Sequence, residues 1–451
     1  MSADATTERE EHLQHLRDAL NSGTLRRAGR MINALHPAEI GRLLDSLPPR
    51  ERNVVWDLVD PDLGGDVLLE LNEEVRASLV RSMDVDEVVF AAEGMEVDDL
   101  ADFLAGLPEA ITAAVLTSLD HEDRERLHSV LAYPEDTAGG LMDTETVTVR
   151  PDVTLEVVLR YLRMRGTLPA GTDALFVVNR TEQYVGRLLL VSLLTEDPER
   201  TVSEFMDAHT DGIAADTSAA EVARLFEGRD LVSAPVVDAG GRLLGRITVD
   251  DVVDVIRDEA DHSIYSMAGL DEDDDMFAPV ITSSRRRAVW LGVNLATAFI
   301  AAWVVGLFEA TLDQVVALAV LMPIVASMGG IAGSQTLTLI IRGLAFGKVQ
   351  DSNTRWLLVR ELAVAMLNGL GWALVVALAV LAWFGDWRLG AIIGVALVLN
   401  LIVAAISGVL IPVLLKRLGI DPALAGSVVL TTVTDVVGFM AFLGLGTVFL
   451  T

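Results

Sequence analysis

The sequence predicts a multidomain α-helical membrane protein: five transmembrane helices preceded by an α-helical superhelical domain and an α/β module made of two copies of one unit. Three observations carry that prediction. Apolar stretches long enough for the roughly 20 residues that cross a bilayer follow one another from Trp290 to the end of the chain. The charge is segregated: residues 1–280 hold 24 Lys+Arg against 58 Asp+Glu, whereas residues 281–451 hold 10 against 7, within a net charge of −31. A strand, a turn, a Gly-Arg step, a second strand and a helix start occur twice, in ALFVVNRTEQYVGRLLLVSLL and in APVVDAGGRLLGRITVDDVVDVI.

Residues 1–23 form a polar, acidic segment expected to be flexible. It lacks the basic start and apolar centre of an export signal, so the first part of the chain is expected in the cytoplasm. Residues 24–132 carry apolar positions at three- and four-residue spacing, with Pro or Asp at helix starts, and read as an acidic helical domain. Leu35, Ile40, Leu43, Leu44, Leu47 and Pro48 return sixty residues later as Met95, Leu100, Phe103, Leu104, Leu107 and Pro108. Stacked helical hairpins produce such an echo, although periodicity alone also admits an ordinary helical bundle.

Residues 133–261 hold the duplicated unit, each copy led by a helix, PDVTLEVVLRYLR and ADTSAAEVARLFE. That order resembles a tandem pair of cystathionine-β-synthase (CBS) modules, small regulatory folds that sense nucleotides or ions. Thr248 and Asp251 match the Thr-x-x-Asp step with which some CBS modules hold an adenosyl ribose, and the first copy lacks that Asp. Residues 262–284 are expected to be an acidic connecting, or plug, helix region. On a helix, Asp251, Asp254, Asp258 and Asp261 would line one face and repel one another. Such a face is either simply solvated or relieved by hydrated divalent ions, which favour oxygen ligands.

The transmembrane domain, 285–451, is expected to cross at about 288–308, 314–341, 356–384, 388–415 and 423–450. Arg285–Arg287, then Arg342, Lys348 and Arg355, then Lys416 and Arg417 fall on alternate flanks, which the positive-inside bias assigns to the cytoplasm. Five crossings then put the N-terminus in the cytoplasm and the C-terminus outside it.

Asp435 stands in the last apolar run with no opposite charge in the segment. A charge at mid-bilayer costs roughly 2.5–3.5 kcal/mol on insertion scales, so it normally faces a bundle interior or a water-filled path. At about 100° per residue, Ser427, Thr431, Thr434, Asp435 and Gly438 share one small, polar stripe of span five. Span two offers Pro323, Ser327, Gly329, Gly330, Gly333, Ser334 and Gln335, so a loosened helix there would present carbonyl oxygens to a cation. The same glycines also suit close helix packing, and the two readings are compatible. Glu361, after Arg360, reads as half of an Arg–Glu pair or a membrane-edge acid, and Glu309 as an acid at the outer end of span one.

Other classes of function find little support. There is no cysteine, hence no disulfide or thiolate chemistry. The acidic balance argues against a nucleic-acid partner, because phosphate binding needs a basic footprint. GLAFGK at 343–348 is too short for a P-loop, and neither a GxSxG elbow nor HExxH spacing occurs, so no enzyme is expected.

An acidic helical domain, paired CBS modules, an acidic connector and five spans, in that order, resemble the MgtE family of magnesium channels, related to the solute carrier 41 magnesium transporters. Local stretches agree: YPEDTAGGLM at 133–142, RRRAVWLGVN with FE at 308–309, PIVASMGGIAGSQTLTLIIRGLAFG at 323–347, LGIDPALAGS at 418–427 and TTVTDVVG at 431–438. The resemblance implies a homodimer in a prokaryotic plasma membrane, with the ion path between spans two and five. It also implies passive influx of Mg²⁺ or another divalent cation, gated closed by cytoplasmic Mg²⁺. It makes Asp435 the pore carboxylate, with Gly330, Thr431, Gly438, Ser334 and Ser427 along the path. Asp251, Asp254, Glu259, Asp98 and Asp102 become sensor carboxylates, and ATP or another adenine nucleotide becomes a candidate ligand of the CBS pair. Ile331, Ser334 and Ser427-Val428 stand where the family commonly has Asn, Asn and Asn-Pro, and His262 and Ser263 where it often has carboxylates. These departures leave the choice among Mg²⁺, Mn²⁺ and Co²⁺ open, and also the strength of gating. The alternatives are a secondary exchanger or efflux transporter, and a non-conducting CBS membrane sensor, which would have no use for a mid-span acid.

Overall fold

A computed structural model describes residues 25–271 and 274–451; the expected flexible segment 1–23 lies outside the described residues. The chain divides into two compact units. One comprises residues up to 259 together with 273–279, and the other residues 260–272 together with 280–451.

The first unit opens with short helices. These are α1 (Leu25–Ile32), α2 (Pro37–Asp45), α3 (Pro49–Trp56), α4 (Gly64–Leu69), α5 (Glu73–Val80), α6 (Val85–Ala92), α7 (Val97–Ala105), α8 (Glu109–Ser118) and α9 (His121–Val130). Their starts are chemically marked. Pro37 and Pro49 occupy first-turn positions where a missing N–H costs nothing, and a capping box of His36 with Glu39 closes the N-terminus of α2. The sixty-residue echo is structural, because α7 repeats α2 and each is followed by a Pro-led helix. Helices pack on the next but one, α2 on α4, α4 on α6, α6 on α8 and α7 on α9, which is the stacking of a superhelix rather than a closed bundle.

Two three-stranded sheets follow with the same topology. Strands β1 (Thr148–Val149), β2 (Ala174–Val178) and β3 (Tyr184–Leu189) are matched by β4 (Ile213–Ala214), β5 (Ser233–Val237) and β6 (Leu243–Thr248). In each sheet the first pair is parallel and the second antiparallel, and the bulge at Val177/Val178 recurs at Val236/Val237. The pairing of Ala174 with Leu189 returns as Ser233 with Thr248. Leu189 therefore takes the place of Thr248 in the first copy, and the ribose-type step exists once. Helix α10 (Leu155–Arg165) leads the second strand of the first copy, α11 (Leu190–Thr195) and α12 (Val202–Phe205) follow it, and α13 (Ala219–Arg229) belongs to the second.

The second copy shares one continuous apolar core with the helical stack, through Ile213, Phe226, Val236 and Ile247, whereas the first copy keeps its own around Leu155, Leu175 and Leu188. The join is the segment YPEDTAGGLM. A Cβ on Gly139 would fall 2.3 Å from the Tyr133 ring and one on Gly140 2.5 Å from the Pro134 carbonyl, so only glycine fits where this segment meets the sheet. The backbone N–H groups of Ala138 and Gly139 donate to the Thr217 and Ala215 carbonyls at 2.7 and 2.9 Å.

The expected connector differs in extent. The acidic helix, α14 (Val249–Met267), begins directly after β6, inside the stretch assigned to the duplicated module, and ends well before residue 284; the first spanning helix starts at Val280.

The second unit contains five helices long and apolar enough to cross a membrane: α15 (Val280–Gly306), α17 (Val316–Ala345), α18 (Asp351–Phe384), α19 (Trp387–Arg417) and α20 (Pro422–Leu450), with the short α16 (Glu309–Gln314) after the first. Most extend beyond the expected limits because helical hydrogen bonding continues into polar flanks such as Arg285–Arg287. Span four, α19, is the central post: 61% of its most apolar window is buried, against 11% for span one. It packs on α17, α18 and α20.

Candidate functional site

Span two is helical without interruption through the glycine-rich stretch, with Pro323 inside the helix. The loosened backbone expected there is absent, because packing holds it. A Cβ on Gly329 would fall 2.2 Å from the Asn400 amide nitrogen, and one on Gly333 would fall 2.9 Å from the Leu430 side chain. Gly330, by contrast, has open space where a Cβ would be. The glycines therefore divide by face, two for close helix approach and one toward an open surface.

That surface is a depression of about 730 Å³ lined by Gly330, Ile331, Ser334, Gln335, Thr338 and Leu339 of α17 and by Thr431 of α20. Three of the six path candidates, Gly330, Ser334 and Thr431, thus share one wall. Asp435 and Ser427 lie one helical turn to either side of Thr431, about 6 Å along the axis each way, and all three are half-buried. Among the described residues no other side chain pairs with the Asp435 carboxylate.

The expected stripe of span five is split. Thr434 and Gly438 are rotated into the interior: Thr434 is fully buried, its hydroxyl donating to the Leu430 and Thr431 carbonyls at 3.1 and 3.0 Å. A Cβ on Gly438 would stand 2.7 Å from the Asn400 amide nitrogen. Gly438 is therefore a packing residue in this structure, not part of the depression. Thr431 turns its own hydroxyl to the Ser427 carbonyl at 3.0 Å, leaving its oxygen lone pairs as acceptors.

Asn400 escaped the sequence reading, although a lone amide within VALVLNLIVAA was its signal. It is wholly buried, and its Nδ2 donates to the Val325 carbonyl at 2.9 Å. Its Oδ1 has no hydrogen-bond partner. Glu361 is also buried, accepting from the Thr336 hydroxyl at 3.2 Å and pairing with Arg360, which fits the structural reading of that acid. Glu309 is exposed.

In the first unit, α7 and the start of α14 bring carboxylates together. Asp98 is 6% exposed and its Oδ1 lacks a partner. Burial, then the negative charges of Asp251, Asp99 and Asp143, push its carboxyl up to about 9. Burial and then Asp251 and Glu96 push Asp99 up to about 7. Asp102 rises to about 6 through the surrounding protein and then Glu135, but it keeps solvent-exposed surface, and water screening makes it the weakest member of the group. Asp251 is raised by burial, against the lowering effect of Thr248, whose N–H and hydroxyl donate to its Oδ2 at 3.0 and 2.8 Å. Glu96 is raised by the surrounding protein and then by Asp143, though it keeps solvent-exposed surface.

Of the expected sensor residues, Asp98, Asp102 and Asp251 thus meet at one seam. Asp254 and Glu259 do not: they are exposed on α14, where Asp254 pairs with Arg257 at 3.3 Å. On the acidic face expected of that helix, Asp251, whose Oδ2 accepts the Thr248 N–H and hydroxyl, is half-buried, whereas Asp254, Asp258 and Asp261 are exposed. Asp99, Glu96 and Asp143 belong to the seam and were not singled out, since only the fold brings them near Asp251. Among the described residues no three carboxylate or imidazole side chains converge at ligating distance. The all-oxygen donor set and the uncompensated charge suit a hard cation that keeps most of its water, for which few direct protein ligands suffice.

Close to the same seam, Arg246 is 3% exposed and pairs with Asp143 at 3.1 Å, while its Nη2 donates to the Ala170 carbonyl at 2.8 Å. Thr248 and Asp251 are thus locked to each other beside a guanidinium that already has a counter-charge.

Comparison with known proteins follows the same division. Residues 322–445 match the divalent cation transporter family MgtE, residues 35–136 the MgtE intracellular N domain, and residues 138–198 and 202–258 the CBS domain. The magnesium transporter MgtE of Thermus thermophilus is 33% identical over 433 residues, covering 95% of this chain and 96% of the relative. The magnesium transporter MgtE of Bacillus subtilis is 29% identical over 431 residues, covering 96% of each. A crystal structure of the cytosolic domain of the Mg²⁺ channel MgtE in complex with ATP is 34% identical, with a TM-score of 0.50, and covers 54% of this chain and 99% of that one.

Proposed function

The chain belongs to the MgtE family of divalent cation transporters, and from that premise we propose that it is a homodimeric plasma-membrane channel passing Mg²⁺ inward down its electrochemical gradient. The observation that carries the reading is the half-buried, unpaired Asp435 one turn from Thr431, whose span shares an open depression with Gly330 and Ser334 of span two. A carboxylate in a membrane needs a cation or water, and Mg²⁺ supplies both, since it dehydrates reluctantly. One Asp435 from each subunit, with hydroxyls and waters around it, would hold a hydrated ion weakly enough to release it. The cytoplasmic end follows from the Arg and Lys flanks of the spans, which favour an N-terminus inside.

Gating rests on the acidic seam. Asp98 and Asp251, with Asp99 and Asp102 beside them, would hold regulatory Mg²⁺, which supplies positive charge between like-charged groups and so favours their close approach. Asp254 and Glu259, exposed on α14, would at most attract a looser, fully hydrated ion. When cytoplasmic Mg²⁺ is plentiful the acidic surfaces close and the pore shuts; when it falls, repulsion loosens them. The CBS pair is a candidate adenine-nucleotide site through Thr248 and the Oδ1 of Asp251, which lies outside the Thr248 bonds; the ATP complex of the relative supports it.

Mg²⁺ uptake into liposomes holding the full-length protein tests the pore. Asp435→Asn should lower uptake while leaving dimer content unchanged, and Asp435→Ala should lower it further. Wild-type uptake in both variants would remove Asp435 from the path. The same assay across Mg²⁺, Mn²⁺, Co²⁺ and Ca²⁺ names the preferred ion.

A further inference from the structure

We propose that Asn400, in the central span four, is a positioning residue that sets the separation and register of spans two and five and thereby the place of Asp435 in the ion path. The inference rests on the pore reading above. It starts from an energetic anomaly: a side chain with no exposed surface in the core of a membrane bundle is an amide, and one of its two polar atoms has no partner. An unsatisfied buried polar group is destabilising, so a leucine of similar size would be the better filler if filling were the only task.

The amide does what leucine cannot. Its Nδ2 bonds to the Val325 carbonyl at 2.9 Å, which fixes the side-chain rotamer and ties span four to span two. Held in that orientation, the same amide nitrogen would be 2.2 Å from a Cβ on Gly329 and 2.7 Å from a Cβ on Gly438. Two glycines on two different helices therefore face one amide, and each is glycine because the amide occupies the space beside it. Both adjoin the path: Gly329 precedes Gly330, and Gly438 lies three residues past Asp435, about one helical turn. Asn400 is thus the common stop against which the two path-lining helices rest. Moving it changes the gap between them before it changes anything else.

The test is a mutant cycle in the full-length protein, reconstituted in liposomes, with Mg²⁺ and Co²⁺ uptake, dimer content and thermal unfolding measured together. Gly438→Ala should cut Mg²⁺ uptake by about tenfold or more, because the added methyl pushes span five off Asn400. Combining it with Asn400→Ala should bring uptake back to within about threefold of Asn400→Ala alone, and Gly329→Ala should show the same rescue. Recovery of flux cannot arise from a fold simply lost. Asn400→Ser replaces Asn400→Ala if the latter does not assemble. Asn400→Leu, which keeps the volume but loses the Val325 bond, should change the Co²⁺ to Mg²⁺ uptake ratio at unchanged dimer content. Doubles no better than the glycine variants alone, or a wild-type ratio in Asn400→Leu, would overturn the proposal. If Asp435→Ala abolishes uptake while the cycle shows no rescue, only the role of Asn400 fails; if Asp435→Ala transports normally, the pore reading fails with it.

Discussion

Asp98 and Asp435 are both carboxylates withdrawn from bulk water, and they respond to that in ways their neighbours decide. Burial first, and then the like charges beside it, raise the Asp98 carboxyl to about 9, with Asp99 at about 7 and Asp102 at about 6. A folded-state value raised above the unfolded one, about 3.9 for Asp, means that the closed seam is favoured below the unfolded value. That contribution is lost as pH rises through the folded values. Without divalent ions, the first unit should therefore resist trypsin better at pH 6 than at pH 8.5, and Mg²⁺ should add protection mainly at the higher pH. Equal protection by Mg²⁺ at both values would contradict the assignment. Asp98→Asn removes the most strongly raised group; it should protect the seam at pH 8.5 without Mg²⁺ and shift the Mg²⁺ concentration for half-protection about tenfold, equivalent to about 1.4 kcal/mol.

Elements carry a second set of consequences. Helix α3 presents Arg52, 1% exposed, whose Nη2 reaches Asp275 at 2.9 Å and whose Nε donates to the Leu44 carbonyl at 3.0 Å. The Asp275 N–H in turn donates to the Glu74 carboxylate at 2.8 Å. The segment just before span one is therefore fastened to the helical stack by a buried ion pair. Removing one partner of such a pair costs about 3–5 kcal/mol, because the other charge stays buried alone. Arg52→Ala should lower the unfolding free energy of the first unit, read from a urea titration, by that order, and the paired Arg52→Met, Asp275→Leu variant should recover most of the loss. In span two, Gly330→Ala should leave folding unchanged because its Cβ position is open, whereas Gly333→Ala should lower thermal stability by overpacking Leu430. Similar melting temperatures for the two would show that the faces of this helix are not as described.

At the scale of the whole molecule, an acidic unit precedes a unit of membrane-length helices with little charge, and the proposed transport mode is tested by flux under controlled gradients. A channel should pass Mg²⁺ down its gradient with no counter-ion present, at a rate that follows membrane potential; a requirement for H⁺ or Na⁺ on the opposite side would favour the exchanger. The order of parts, the five spans, the sixty-residue helical echo and the duplicated α/β unit were legible from the chain because each is a pattern summed over many residues. Hydropathy over some twenty positions and repetition at a fixed offset survive local uncertainty. Asp435 stood out as a candidate because a lone charge in an apolar run is conspicuous in one dimension. Rotation about a helix axis and proximity between distant segments are not one-dimensional quantities. The stripe of span five contained both Asp435 and Gly438, and packing against Asn400 turned Gly438 inward. The acidic face of α14 contained both Asp251 and Asp254, and in the fold Asp251 is half-buried near Asp98 while Asp254 is exposed. Residue types and their periods thus settled which helices exist and which chemistry they bear. The side of each helix that meets a neighbour depended on side chains far away along the chain, because close packing is a property of volumes in contact.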